Sequence, residues 1–385
     1  MYQQKLSEIK YQFNTANDNL GFRMLVDAVI DTSNINIFNQ CIALANWQEQ
    51  NDNDTEGFKT RCVEILHTLE KEEFPLNQSH TLLASAKEIT KVYGNNKFEL
   101  GPINIDISAG QLIGLVGENG NGKTTLLRIL AKELSFTEGE IQYPFSKNKM
   151  DDYALRTTLT YIPQRTPKWY GKVKDNLKLT CTHYGIKPTE NEQWVSILMI
   201  RFGLWKFRNY SWSELSSGYK MRFELARTFL RKPKLLLLDE PLANLDILSQ
   251  QLILEDLKMM GKSLSNPLGI ILSSQQLYEV EKVSDEVIFL QNGKPSSFNS
   301  LKAIDNVVAK QILVVELDIA NSKEMLQAAL QTLQVEQLKL IGSNYYIEIN
   351  NTEVSTLLQL LLDNNITIKY FRNISLSTRR FFNRQ

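Results

Sequence analysis

Apolar residues follow three different rhythms along this chain. Through the first 80 residues they recur at helical spacing: Leu20, Met24, Leu25, Ala28 and Val29, then Ile37, Cys41, Ile42 and Ala45. The polar stretch Gln48–Asp54 separates these from a further amphipathic segment, Phe58 to Leu69. Such spacing puts one apolar stripe on each helix, so a bundle of three or four helices is expected over residues 1–82. From about 86 to 300 solid apolar runs take over: Gln111–Val116, Leu159–Ile162, Leu235–Leu238, Leu268–Leu272 and Glu286–Leu290. Short continuous runs alternating with helix-like segments predict buried strands of an α/β unit. Past Asn299 the rhythm changes again. Ile312–Leu317 reads as a strand and Ser322–Leu333 as a helix. Val335–Ile341 and Tyr345–Ile349 flank Gly342-Ser343-Asn344 as a hairpin, then Thr352–Leu362 is helix-like and Ile366–Phe371 strand-like. That βαββαβ order predicts a small α+β domain of ferredoxin-like type over 305–385.

Composition narrows the function. The chain has 385 residues, 43% of them hydrophobic, with 43 basic and 43 acidic side chains. A net charge of zero argues against a general polyanion binder, so no nucleic-acid partner is expected. The first 80 residues are locally acidic, with 12 acidic and 6 basic side chains. Cys41, Cys62 and Cys181 have no metal-ligand spacing and only three His are present, which argues against zinc and fits a reducing compartment. The amino terminus lacks an apolar signal-peptide core. No run of about 18 apolar residues occurs, so membrane association is expected to go through a partner.

The chemistry begins after the first apolar run. Gly117-Glu118-Asn119-Gly120-Asn121-Gly122-Lys123-Thr124 matches the phosphate-binding pattern G-x-x-x-x-G-K-[ST]. The match lies between a predicted strand and a helix-like segment, Thr125–Ala131. Glycines at Gly117, Gly120 and Gly122 let backbone N–H groups, including that of Asn119, turn toward phosphate oxygens. Lys123 adds a positive charge, Thr124 offers a hydroxyl to Mg²⁺, and the helix N-terminus at Thr124 and Thr125 favours an anion. A second motif, Lys234–Pro241, is an apolar strand that ends in two carboxylates. A buried strand ends in charge when the charge has a task. Asp239 is placed to hold Mg²⁺, and Glu240 to orient or deprotonate an attacking water.

With these two motifs in place the chain resembles the ATP-binding cassette (ABC) family. Leu215-Ser216-Ser217-Gly218-Tyr219 is similar to the family signature LSGGQ, with Ser217 for a Gly and Tyr219 for the Gln. The resemblance implies a P-loop NTPase cassette over 86–300 with a helical subdomain at about 165–232, binding ATP and Mg²⁺. It implies that Ser216 and Gly218 close over the γ-phosphate of a second cassette. Ser217 adds a side chain where that approach is close. Tyr93 resembles the aromatic that stacks on adenine. Gln164 resembles the glutamine at the metal and the lytic water. Asp246, in Ala243-Asn244-Leu245-Asp246, resembles the acidic residue of the loop that touches the other cassette.

One position departs from the family. Gln275, in Ser273-Ser274-Gln275-Gln276, stands where a histidine switch is usual. A Gln amide donates a hydrogen bond but carries no proton charge at neutral pH, so either hydrolysis is slow or Gln substitutes adequately because Glu240 supplies the dominant contribution. The segments Lys172–Thr180 and His183–Ile186, with the tail to Phe382, resemble exporter ATPases of ABC-2 type that work with a separate permease. The resemblance implies a cytoplasmic subunit held at the inner face of the membrane, working as a homodimer or heterodimer of cassettes. A non-transport ABC ATPase, or a slowly hydrolysing regulator of soluble partners, is the other reading left open.

Overall fold

The helical rhythm of the first 80 residues becomes four helices in the computed structural model, which describes residues 2–15, 17–72, 81–94, 98–145, 155, 157–295 and 312–375. They are α1 (Tyr2–Asn14), α2 (Asp18–Thr32), α3 (Ile35–Gln50) and α4 (Thr55–Leu69). Local chemistry sets two of their starts. Asn34 caps α3 by accepting from the Asn36 N–H, and Asp54 caps α4 by accepting from Gly57 N–H. Leu6, Ile9, Phe13, Leu25, Val29, Phe38, Cys62 and Leu66 are buried between them.

This bundle does not stand apart. Its buried residues join one continuous core with Trp194, Leu198, Leu254 and Leu257 of the central region. Phe38 meets Trp194 edge-to-face at 4.9 Å between ring centroids. Arg208 reaches Glu49 with both terminal nitrogens, at 2.7 and 2.9 Å.

The first strand of the central region begins at Leu82. Strands β1 (Leu82–Tyr93) and β2 (Phe98–Ser108) pair antiparallel, and β1 also pairs with β4 (Glu138–Gln142). Strand β2 alternates buried Leu100, Ile103, Ile105 and Ile107 with exposed positions. The sequence reading named no strand over β2 or β4. The alternation in β2 is interrupted by the turn-like pair Gly101-Pro102, and β4 is polar and largely exposed.

The solid apolar runs form the second sheet: β3 (Leu112–Val116), β5 (Leu159–Ile162), β6 (Leu235–Leu238), β7 (Gly269–Ser274), β8 (Glu286–Gln291) and the short β9 (Lys294–Pro295). The order is β5-β6-β7-β3-β8-β9, parallel except for β9. All four leucines of β6 are 0% exposed, each contributing on the order of 2 kcal/mol of burial. Helix α5 (Lys123–Leu130) follows β3. Between β5 and β6 run α6 (Val173–His183), α7 (Pro188–Arg201) and α8 (Ser217–Leu230); after β6 come α9 (Ile247–Gly261) and α10 (Leu277–Glu281).

The carboxyl-terminal part folds as β10 (Ile312–Ile319), α11 (Lys323–Ala329), β11 (Gln334–Ile341), β12 (Asn344–Asn350), α12 (Val354–Asp363) and β13 (Ile368–Asn373). Its sheet runs β11-β12-β10-β13, antiparallel throughout. Leu326 and Ala329 of α11 and Leu357 and Leu361 of α12 share a core with Val315, Leu317 and Ile347 of the sheet. The motif-bearing tail residues Ser377–Phe382 lie outside the described residues.

Candidate functional site

Four neighbouring strands end at the same edge of the parallel sheet, and each delivers part of the site. In register, Val116 sits beside Ser274, Leu238 beside Leu272, and Ile162 beside Leu238. The residues just beyond those ends therefore meet. Strand β3 leads into the Gly117–Thr124 loop, β6 into Asp239 and Glu240, β7 into Gln275, and β5 toward Gln164. Ligands of parallel α/β sheets bind at this carboxyl edge because the crossovers leave a crevice there.

The loop is shaped by its glycines. Gly120 and Gly122 have φ of +86° and +96°, which side-chain-bearing residues rarely adopt. Asn121 ties the loop to the end of β8, its Oδ1 accepting from the Asn292 N–H at 3.0 Å. Lys123, 4% exposed, curls back to donate to the carbonyls of Gly117 at 2.6 Å and Glu118 at 3.2 Å. It also pairs with Glu240 Oε1 at 3.2 Å. A buried ammonium must be paired, and here a carboxylate and carbonyl oxygens hold it where phosphate oxygens can take over.

Asp239 is 3% exposed and fully engaged. Its Oδ2 accepts from Thr124 Oγ1 at 2.8 Å and from Tyr161 OH at 3.3 Å, while Oδ1 accepts from Ser273 Oγ at 2.9 Å. The Thr124 hydroxyl and the Asp239 carboxylate are hard oxygens side by side, and the Gln164 amide lies at the same edge. Such a donor set fits Mg²⁺, which takes one or two protein oxygens and completes its shell from phosphate and water. Burial, then the neighbouring Asp239 charge, pushes the Tyr161 phenol well above its ordinary value, so it stays a donor.

Glu240 occupies the left-handed region at φ +46°. Its N–H donates to Ser273 Oγ at 2.8 Å. Strain of this kind persists where surrounding bonds over-determine it. Gln164 Nε2 at 3.0 Å and Gln275 Nε2 at 2.8 Å both donate to Glu240 Oε2. Gln275 thus bonds the carboxylate directly, while the Ser273 hydroxyl seats both acids from the next strand. Sequence reasoning passed over Ser273 and Tyr161. Both lie within three residues of a glutamine it did select.

Other selected residues lie around this centre. Tyr93 ends β1, 38% exposed, with its ring centroid 6.2 Å from that of Phe98. The Phe98 ring lies 3.1 Å from where a Cβ on Gly122 would sit, so aromatic surface borders the loop. Thr125 is in the first turn of α5. Ser216 is the N-cap of α8 and Asp246 the N-cap of α9, where Ser249 donates to it through N at 2.9 Å and Oγ at 2.7 Å. Gly218 packs so close to Ser249 that a Cβ would stand 2.7 Å from its Oγ. Ser217, expected to obstruct, turns its hydroxyl aside to donate to the Asn244 carbonyl at 3.2 Å. The LSSGY turn and the loop after Glu240 are thereby joined within one chain.

The family model described as ABC transporter matches residues 100–243. The chain is 31% identical over 233 residues to the uncharacterized ABC transporter ATP-binding protein YhaQ of Bacillus subtilis (strain 168), covering 60% of this chain and 75% of that protein. This chain belongs to the ABC transporter ATP-binding proteins. The phosphate import ATP-binding protein PstB of Saccharolobus solfataricus is also 31% identical, over 55% of this chain and 86% of its own length. A solved structure of cbiO1 from Clostridium perfringens, described as part of the ABC transporter complex cbiONQ, shares the fold. Its TM-score is 0.53 at 23% identity, over 60% of this chain and 92% of that one. As an ABC ATP-binding protein, the chain is an ATPase of a transport system. Among the described residues no helix is long and apolar enough to cross a membrane.

Proposed function

We propose that this chain hydrolyses MgATP in a two-cassette sandwich and so drives a separate membrane permease, in the export direction. One observation carries the hydrolysis at its centre: Lys123, Thr124, Gln164, Asp239, Glu240 and Gln275 converge in one hydrogen-bonded network at the carboxyl edge of four adjacent strands. Phosphoryl transfer needs positioning and charge stabilisation, which this set supplies.

In this reading the Gly117–Thr124 backbone and Lys123 bind the β- and γ-phosphates. Mg²⁺, when bound through Thr124, Asp239 and Gln164, offsets phosphate charge. An arriving γ-phosphate takes over Lys123 and releases Glu240, whose carboxylate then orients the attacking water. Tyr93 stacks on the adenine. Ser216 and Gly218 of one cassette, with the loop carrying Asp246, contact the nucleotide held by the other. Gln275 gives one amide N–H to Glu240 and cannot take up a proton, which supports slow turnover.

The export direction rests on the segments at 172–186 and in the tail, since PstB is named for import. The chain would sit on the cytoplasmic face of the membrane through its permease. Two measurements test the proposal. Glu240→Gln is expected to lower MgATP turnover by about 10²-fold or more while ATP binding persists; unchanged turnover removes Glu240 from its role. A mild-detergent pull-down from native cells is expected to recover a multi-span permease. Recovery of soluble partners alone, with the chain absent from washed membranes, favours the non-transport reading.

A further inference from the structure

Helices from three parts of the molecule meet at one buried carboxylate. Asp256 of α9 is 1% exposed. Its Oδ1 accepts from Arg23 of α2 at 2.6 Å and from Arg201 of α7 at 2.5 Å. Arg222, on the helix that opens at the LSSGY turn, holds its Nε 4.0 Å from the other oxygen, Oδ2. Helix α2 grips the same group again. Its Asp27 accepts from Arg201 Nε, and Arg23 also reaches Glu255 at 2.5 Å and the Leu252 carbonyl at 3.3 Å. One turn further, Asp31 accepts from the hydroxyls of Ser263 at 2.6 Å and Ser265 at 2.8 Å, beyond the end of α9. The spacing of Arg23, Asp27 and Asp31 places all three on one face of α2.

The charges in this cluster balance: Arg23, Arg201 and Arg222 face Asp27, Glu255 and Asp256. The hydrogen bonds do not. Asp256 Oδ2, Asp27 Oδ2 and Arg201 Nη2 are buried without a hydrogen-bond partner among the described residues. Buried ionic clusters add little net stability; their best-attested use is to fix register or support a switch. Here the missing bond has a ready completion. At 4.0 Å Arg222 is an ion pair but too distant for a hydrogen bond, and an approach of about 1 Å would make one. An approach made by α8 as a whole would shift the LSSGY turn, since the helix's first residue lies about 7.5 Å from Arg222 along the axis.

We propose that Asp256 is the hub through which the amino-terminal helices position the LSSGY turn. Helix α2 fixes Asp256 and Arg201, and the Arg222–Asp256 Oδ2 bond, open in this state, closes as α8 moves. Arg23, Asp27, Arg201 and Arg222 are positioning residues, since none contacts the phosphate loop, Asp239 or Glu240. The turnover readout below rests on the ATPase reading above; the exchange readout does not.

The test uses the full chain carrying Arg23→Gln and Asp27→Asn together; both side chains stay polar and lose their charge, and Asp27→Asn also keeps its size. Hydrogen–deuterium exchange over residues 217–230 is expected to speed up by about fivefold, the scale of one lost buried hydrogen bond, with β3 and β6 unchanged. Turnover of MgATP should fall by about threefold or more with KM within a factor of about two. In an Arg222→Gln background the same pair should add little. Wild-type exchange in α8, or effects that add in full to Arg222→Gln, overturns the proposal, as does a lower thermal midpoint with unchanged kcat. If the pair prevents folding, Arg222→Lys alone decides, because an ammonium keeps the charge but loses the guanidinium fork: turnover lowered about threefold supports the hub and wild-type turnover overturns it. A wild-type chain without turnover would fail the ATPase reading and leave exchange to judge the hub.

Discussion

Glu240 is held by three side chains of the site. One of its oxygens pairs with Lys123 and the other takes two amides, Gln164 at 3.0 Å and Gln275 at 2.8 Å. The amide at position 275 therefore holds one side of the carboxylate it contacts. Gln275→His replaces that fixed amide with a ring that titrates near neutrality. MgATP turnover of this variant is expected to exceed wild type and to gain a pH dependence around the imidazole value. Equal turnover at all pH values would show that Gln275 serves as well as the histidine.

At the scale of elements, contact between α8 and α9 is set by a residue without a side chain. A Cβ at Gly218 would meet Ser249 at 2.7 Å from Oγ and 3.0 Å from Cβ, and Ser249 is itself tied to the Asp246 cap. Gly218→Ala should therefore push α8 away from α9 and lower the thermal midpoint by several degrees. Adding Ser249→Gly removes the obstructing atoms and should restore most of the loss, measured by thermal unfolding of the two variants together. Failure of the second change to rescue would mean that Gly218 is required for reasons other than this contact. The signature pattern showed that a glycine stands there; only the packing shows what it stands against.

At the scale of the whole molecule, the bundle is bound to the cassette through buried ionic contacts that make stability pH-dependent. Burial alone would raise the Asp31 carboxyl, but Lys5 and the hydroxyls of Ser263 and Ser265 outweigh it and hold the group below its ordinary 3.8. A depressed carboxyl contributes its stability fully above the unfolded value and loses it as the pH falls through the folded one. Urea unfolding of the wild type should thus weaken, as the pH falls below the ordinary carboxyl value, by more than that of Asp31→Asn, which lacks the titrating group. Parallel pH curves for the two proteins would place Asp31 outside the linkage. The neighbouring Asp27 moves the other way, raised by burial against the pull of Arg201, so only the difference between the two curves isolates Asp31.

The sequence by itself determined the catalytic edge. A phosphate loop, a strand ending in two acids and a glutamine after another strand are local patterns, and parallel pairing of solid apolar runs puts their carboxyl ends at one edge. The strand rhythm likewise placed β3, β5, β6, β7 and β8 within a residue or two at either end. Tertiary structure alone decided the rest. Ser273 and Tyr161 matter because β5 and β7 flank β6, a fact about strand order that no local pattern contains. The Ser217 hydroxyl has a partner in Asn244, 27 residues away, which no local pattern announces. The acidic, motif-free first 80 residues gave no sign of a partner, because Arg23 and Asp27 gain meaning only beside Arg201 and Asp256, more than 170 residues further along the chain.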